Sequence, residues 1–195
     1  MNKTDEERLA RNAMKDKHLL AELLQNILSK NDDIRYPSFK ALLLISEEHP
    51  EVLYPRWDYF AELLVSDNAY RKLIAVRLLA NLTRVDTNNK FEDIFDTYYN
   101  LLNDSVIVAG HLASNSGKIA KAKPELEPKI TNKLLNIDKT NHKHKELIKS
   151  GAIEAFSEYF DETKDKQKIL DFVKKQLTST SPKTKKTAAA FLKNH

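Results

Sequence analysis

Residues 49–55 read HPEVLYP, and residues 123–128 read KPELEP. Each stretch has Pro-Glu, an apolar residue and then a second proline. Pro50 and Pro124 lie 74 residues apart, and Pro55 and Pro128 lie 73 apart. Half of the larger interval is 37. Steps of 37 from Pro50 land on Thr87, Pro124 and Asp161. Thr87 falls in VDTNNK and Asp161 in FDETKDK, both polar breaks. The two proline stretches are therefore read as one structural corner, written two units apart. Proline lacks an N–H and disfavours helix in the residue before it, so Pro50 and Pro124 end helices. Pro55 and Pro128 suit the first turn of the next helix, where a missing donor costs nothing. Val52 and Leu126 are expected in the seam between units.

Between the corners run amphipathic segments with apolar residues at helical spacing. HLLAELLQNILS (18–29) carries Leu20, Leu23, Leu24, Ile27 and Leu28 on one stripe, and KFEDIFDTYYNLLN (90–103) carries Phe91, Ile94, Phe95, Tyr98, Leu101 and Leu102. A polar turn divides each pair of helices near Asp32, Asp67, Asp104, Asp138 and Ser181. Asp32 or Asp33, and Asp67, are the expected N-caps, with Pro37 near the first turn of its helix and Ser181-Pro182 as a helix start. The period predicts five helical hairpins, at 18–50, 51–87, 88–124, 125–161 and 162–195, in a single domain over 1–195. A charged helix at 3–17 and a lysine-rich helix at 182–195 would cap its ends. Tyr70, Leu73, Leu79, Ile107, Leu112, Ile148 and Phe156 are the expected core.

Composition agrees with an all-α chain. Three glycines in 195 residues are too few for a sheet-rich fold with glycine turns. The absence of cysteine excludes disulfides, thiolate metal sites and cysteine nucleophiles. The N-terminus MNKTDEERLARNAMKDK lacks the apolar core of a signal peptide. The longest apolar run, ALLLI at 41–45, is far short of a membrane span. A soluble, cytoplasmic protein is expected.

The repeat units resemble known sequences. SDNAYRKLIAVRLLANL (66–82) is similar to the second-helix signature of HEAT repeats, with the roles on Asp67, Tyr70, Arg71, Ala75, Leu78 and Leu79. ELIKSGAIEAFSEYF (146–160) resembles the Gly-Ala-Ile segment of armadillo repeats. The resemblance implies a right-handed α-α superhelix, a HEAT/armadillo-like solenoid, with the second helices lining a concave surface. The armadillo phase breaks a helix at Gly151, so a kink or interruption is expected there.

Several constellations invite chemistry. GHLASNSGK (110–118) is not a phosphate loop: six residues separate Gly110 from Gly117-Lys118, and Ile119 replaces the Ser/Thr that would bind magnesium. It reads as a helix of small residues permitting close approach of a neighbour. His142 and His144 diverge by about 200° on a helix and could share an ion only from a loop. HEAT-family iron hydroxylases use His-Glu pairs, and the chain contains no His-Glu dipeptide. HEAT-like alkylation-repair glycosylases use concave-face aromatics with an acid and an arginine; Trp57-Asp58 is the Trp-Asp pair here, early in a first helix where seam packing is usual. No cofactor, metal or catalytic group is expected.

Charge is unevenly distributed. Residues 1–117 carry 14 Lys/Arg against 18 Asp/Glu, whereas residues 118–195 carry 18 Lys against 10 Asp/Glu. This pattern fits either a lysine-biased surface or an anionic partner. The second helices place Lys40, Arg77, His111, Asn115, Lys118, Lys145, Lys149, Lys183 and Lys186 on a candidate binding face. The leading expectation is a non-enzymatic scaffold for a protein or peptide partner. The alternative is nucleic-acid binding through the lysine-rich half, in the manner of the HEAT-like glycosylases. The lack of interleaved aromatics and of arginine in that half weakens the alternative.

Overall fold

The computed structural model describes residues 5–195. Among them secondary structure is helical, and the chain divides into two compact units, Met1–Asn89 and Lys90–His195. The boundary falls in the polar break VDTNNK. Asn89 there has φ of 55°, a left-handed conformation that asparagine tolerates better than most residues.

The first unit contains α1 (Asp5–Lys15), α2 (Lys17–Asn26), α3 (Asp32–Glu48), α4 (Pro50–Leu53), α5 (Trp57–Leu63) and α6 (Ala69–Leu82). The second contains α7 (Lys90–Asn100), α8 (Val106–Ala122), α9 (Glu127–Leu135), α10 (Lys145–Tyr159), α11 (Lys166–Lys175) and α12 (Pro182–Asn194). The charged helix expected at 3–17 is α1, and residues 3 and 4 lie outside the described ones. Within the first unit α3 packs on α6 and on α1; within the second α10 packs between α8 and α12, and α9 contacts α11. Each unit is thus a stack of helical hairpins, second helix against second helix.

Hydrogen bonds between stacked hairpins carry the repeat. In the first unit Tyr59 donates to the Leu24 carbonyl at 2.6 Å, Asn81 Nδ2 to Ser46 Oγ at 2.8 Å, and Arg84 to the Glu47 carbonyl. In the second, Lys133 meets Asp96 at 3.2 Å and Thr184 Oγ1 donates to the Glu146 carbonyl at 2.5 Å. These ties join residues 35 to 38 apart, which brackets the 37-residue step found in the sequence.

The proline stretches form matching corners. His49 (φ −135°, ψ 60°) and Lys123 (φ −131°, ψ 73°) stop α3 and α8 in almost the same non-helical conformation. Proline then opens the next turn at Pro50 and Pro124. The residue before each second proline straps its corner to the following one. Tyr54 donates to Asp86 at 2.7 Å, and Glu127 accepts from Thr163 at 2.8 Å. Leu126 is buried in the seam as expected; Val52 is half-buried and its neighbour Leu53 takes the buried place.

Several expectations need correction. The N-caps are Asn31 and Asn68, not Asp32, Asp33 or Asp67. Asn31 Oδ1 accepts from the Asp33 amide and Asn68 Oδ1 from the Tyr70 amide, both at 2.9 Å. In each case the cap's own amide donates to a serine two residues upstream, Ser29 or Ser66. The turn is therefore Ser-x-Asn, and its two copies stand 37 residues apart. Ser181 caps α12 ahead of Pro182 as expected. Pro37 lies inside α3, beyond its first turn.

Leu79, Leu112, Ile148 and Phe156 are buried and Leu73 half-buried, but Tyr70 and Ile107 are exposed. Both sit in the first turn of their helices, at the mouth of a groove. Helical spacing shows which residues share a face but not whether a neighbour covers it.

Gly151 does not interrupt its helix either: α10 runs unbroken through it. A Cβ there would lie 2.8 Å from the Gly110 carbonyl oxygen and 3.0 Å from the Ser114 amide nitrogen. The glycine serves close packing of α10 on α8. The small-residue stretch 110–118 likewise lies in α8, where a Cβ on Gly117 would meet the Ala155 carbonyl at 2.8 Å. Trp57 is buried in the first unit, edge-on to Tyr54 with ring centroids 5.8 Å apart.

Candidate binding grooves

Each unit has a groove beside its second helices. In the first unit a hollow of about 480 Å³ lies between α3 and α6. Its walls are Tyr36, Phe39, Tyr70, Leu73 and Ile74, with Asp32 and Asp33 at the start of α3 and Arg77 on α6. Tyr36 and Tyr70 are 57% and 53% exposed in the same hollow, and aromatic residues are enriched at protein interfaces.

The aromatic rings are held by cations. The Arg35 guanidinium lies 4.2 Å from the Tyr70 ring centroid and is tied to Asp32 and to the Ser29 carbonyl. Lys40 approaches the Tyr36 ring at 5.7 Å, and Arg77 the Phe39 ring at 5.4 Å. Such contacts add about 0.5–2 kcal/mol each and reduce the freedom a ligand must otherwise freeze out. Arg77 is half-buried, and among the described residues no hydrogen bond or ion pair holds its guanidinium. Burial pushes its pKa down, and the charge of Glu47 opposes this without bonding to it.

In the second unit a hollow of about 340 Å³ lies along α8 and α10 and reaches Lys183 of α12. Ile107 and Leu147 stand exposed in it, at 56% and 43%. His111, Ser114 and Ser150 add polar groups, and Glu154 pairs with Lys183 at 3.2 Å.

The residues expected on the binding face meet different fates. Arg77 lines the first groove; His111 and Lys183 line the second. Lys40 is half-buried against Tyr36. Asn115 is buried, and its amide donates to the carbonyl of His111 in its own helix at 2.8 Å. Lys145 donates to the carbonyls of Asp138 (2.8 Å) and Thr140 (3.3 Å), closing the turn before its helix. Lys118 is half-buried and Lys186 exposed.

Lys149 has to be removed from the binding face. It is 4% exposed and bridges Asp138 at 2.7 Å and Glu146 at 2.5 Å. Burial disfavours its charge, yet those two carboxylates outweigh the penalty and hold its pKa above the usual lysine value. Its bond, with one from Ser179, in turn holds Glu146 below the usual carboxylate range. The lysine's place in the repeat is real, but its work is to pin the turn at Asp138 to α10.

The exposure of four apolar residues at helix starts was missed by sequence reasoning. Ile34, Tyr70, Ile107 and Leu147 lie in the first turn of α3, α6, α8 and α10, and all four are exposed. They are spaced 36, 37 and 40 residues apart. The available signal was an apolar residue two or three places after each turn, repeating with the period.

His142 and His144 have ring centroids 5.9 Å apart, and His142 Nδ1 accepts the His144 amide. Among the described residues no group of three or more His, Cys, Asp or Glu is placed to hold a metal ion. No described helix is long and apolar enough to cross a membrane.

No family model matches the chain, and no curated protein sequence is detectably similar to it. A crystal structure of an engineered protein superimposes with a TM-score of 0.53 at 19% identity, covering 97% of this chain and 87% of that one. At that identity the likeness is one of helical fold alone.

Proposed function

We propose that the chain is a non-enzymatic interaction scaffold of the HEAT/armadillo-like kind, its hairpins following a right-handed superhelical path and its second-helix grooves receiving a segment of a partner protein. The observation that carries this is the periodic set of exposed apolar residues, Ile34, Tyr70, Ile107 and Leu147, at the first turns of successive second helices. Exposed Tyr with nearby Arg is also the composition of interface hot spots. Fold alone would not support the reading; the open, apolar, preorganised grooves do.

The nucleic-acid alternative has less support. Lys149 is buried, Lys145 is spent on backbone carbonyls, and Lys183 is paired with Glu154. The exposed aromatics Tyr36 and Tyr70 belong to the first unit, whereas the lysine-rich stretch belongs to the second.

The test is affinity capture from native lysate, quantified by mass spectrometry. Wild type is compared with Tyr36→Ala/Tyr70→Ala and with Ile107→Ser/Leu147→Ser. A specific protein set captured by wild type should fall at least several-fold with one or both variants. An identical set on all three baits would sink the proposal. Salt-sensitive binding of duplex or single-stranded DNA would favour the alternative instead.

A further inference from the structure

The groove of the first unit has a chemical polarity that the second lacks. At one end the exposed Asp33 lies in the first turn of α3, and Tyr70 lies in the first turn of α6. Arg77 lies seven residues, two helical turns, beyond Tyr70 on α6. Two turns correspond to about 10.5 Å of helix, the length of about three residues of extended peptide. Along that path the walls are the faces of Tyr36 and Tyr70 with Phe39, Leu73 and Ile74.

Arg77 is the decisive group. Arg35 is already committed to Asp32 and Ser29. Arg77 lies against the Phe39 ring, feels the Glu47 charge without a bond to it, and has lost part of its water to the groove. A half-buried guanidinium with its planar fork of donors unfilled favours a carboxylate, which it can grip with two parallel hydrogen bonds. Phosphate is disfavoured, because the other cation of the lining, Arg35, is tied to Asp32 and to the Ser29 carbonyl, and Asp33 stands at the groove's other end.

We infer that this groove takes an extended segment of a partner protein bearing an acidic side chain for Arg77, with a leucine-sized or aromatic side chain within the three preceding or following positions to lie between Tyr36 and Tyr70. A basic residue at the far end of that segment is favoured by Asp33. This rests on the scaffold reading above and adds the chemistry of the partner.

The experiment pans a random dodecapeptide library against the full-length chain. Fluorescein-labelled copies of the enriched peptides are then titrated by anisotropy on wild type, Arg77→Glu, Tyr70→Ala and Ile107→Ser/Leu147→Ser. Circular dichroism confirms that each variant is folded. The enriched peptides should share Asp or Glu within three positions of Leu, Phe, Tyr or Trp. Arg77→Glu should weaken them at least tenfold, and replacing the peptide's acid by lysine should restore binding to Arg77→Glu while abolishing it on wild type.

Peptides that bind wild type and Arg77→Glu equally overturn the inference. If those same peptides are lost on Ile107→Ser/Leu147→Ser, the scaffold reading survives without it. Failure to enrich any peptide overturns both. Self-association that Arg77→Glu abolishes, seen by sedimentation, would make a second copy the occupant and also overturn the inference.

Discussion

Gly151→Ala should destabilise the second unit even though alanine is the better helix former. In an isolated helix the change is favourable by about 1 kcal/mol. Here the added Cβ would meet the Gly110 carbonyl oxygen at 2.8 Å, the Ser114 amide nitrogen at 3.0 Å and the Ala113 Cβ at 3.2 Å. Two of these are backbone atoms of α8, so relief requires α8 and α10 to move apart as whole helices. Overpacking of this kind costs about 1–3 kcal/mol, and parting two packed helices belongs at the upper end. The net loss is then about 1–2 kcal/mol.

The internal control is Gly110→Ala. A Cβ at Gly110 meets nothing within 4 Å, so that variant should gain about 0.5–1 kcal/mol. Thermal unfolding followed by circular dichroism reads both, at roughly 4–8 °C for each kcal/mol in a unit of this size. A Gly151→Ala protein as stable as wild type, or a Gly110→Ala protein less stable than it, would refute the claim that glycine at 151 exists for contact rather than for a break.

Lys149→Met keeps the buried stem but removes the ammonium shared by Asp138 and Glu146. It should cost about 1–2 kcal/mol in urea unfolding, a range discounted for the solvent that screens both carboxylates. Because Glu146 is held below the ordinary carboxylate value, its contribution is present above the unfolded-state pKa and is lost as pH falls through the lower folded one. The stability gap between wild type and Glu146→Gln should therefore be full at pH 7 and shrink below about pH 4, a gap unchanged down to pH 3 being the contrary result. Asn68→Ala should lower stability by about 1 kcal/mol through loss of the α6 cap, whereas Asp67→Ala, at the residue sequence reasoning put there, should change it by less than about 0.5 kcal/mol.

Much of the architecture was legible in the chain. The 37-residue interval, the polar breaks and the helical stripes placed the helices and the turns between them, because proline geometry and apolar spacing act locally. The Ser-x-Asn turns were equally local, yet the aspartates beside each asparagine masked them. Both residue types cap well, and only the backbone decides which of two neighbours is the cap. Gly151 was misplaced for a different reason. A glycine in a helical pattern signals either a break or a close neighbour, and the neighbour is 41 residues away, at Gly110.

The site divides along the same line. The sequence by itself determined a periodic, all-helical chain and the positions whose side chains recur at one repeat phase. Tertiary structure alone decided what those positions do. Lys149 became a buried strut because Asp138 and Glu146 close over it. Arg77 kept its donors open because it lies against a phenylalanine ring, and the nearby Glu47 charge acts on it without a bond. Tyr70 became a groove wall because stacking of α3 on α6 leaves their first turns uncovered. Burial and charge pairing depend on which helix arrives alongside, and a one-dimensional period does not contain that information.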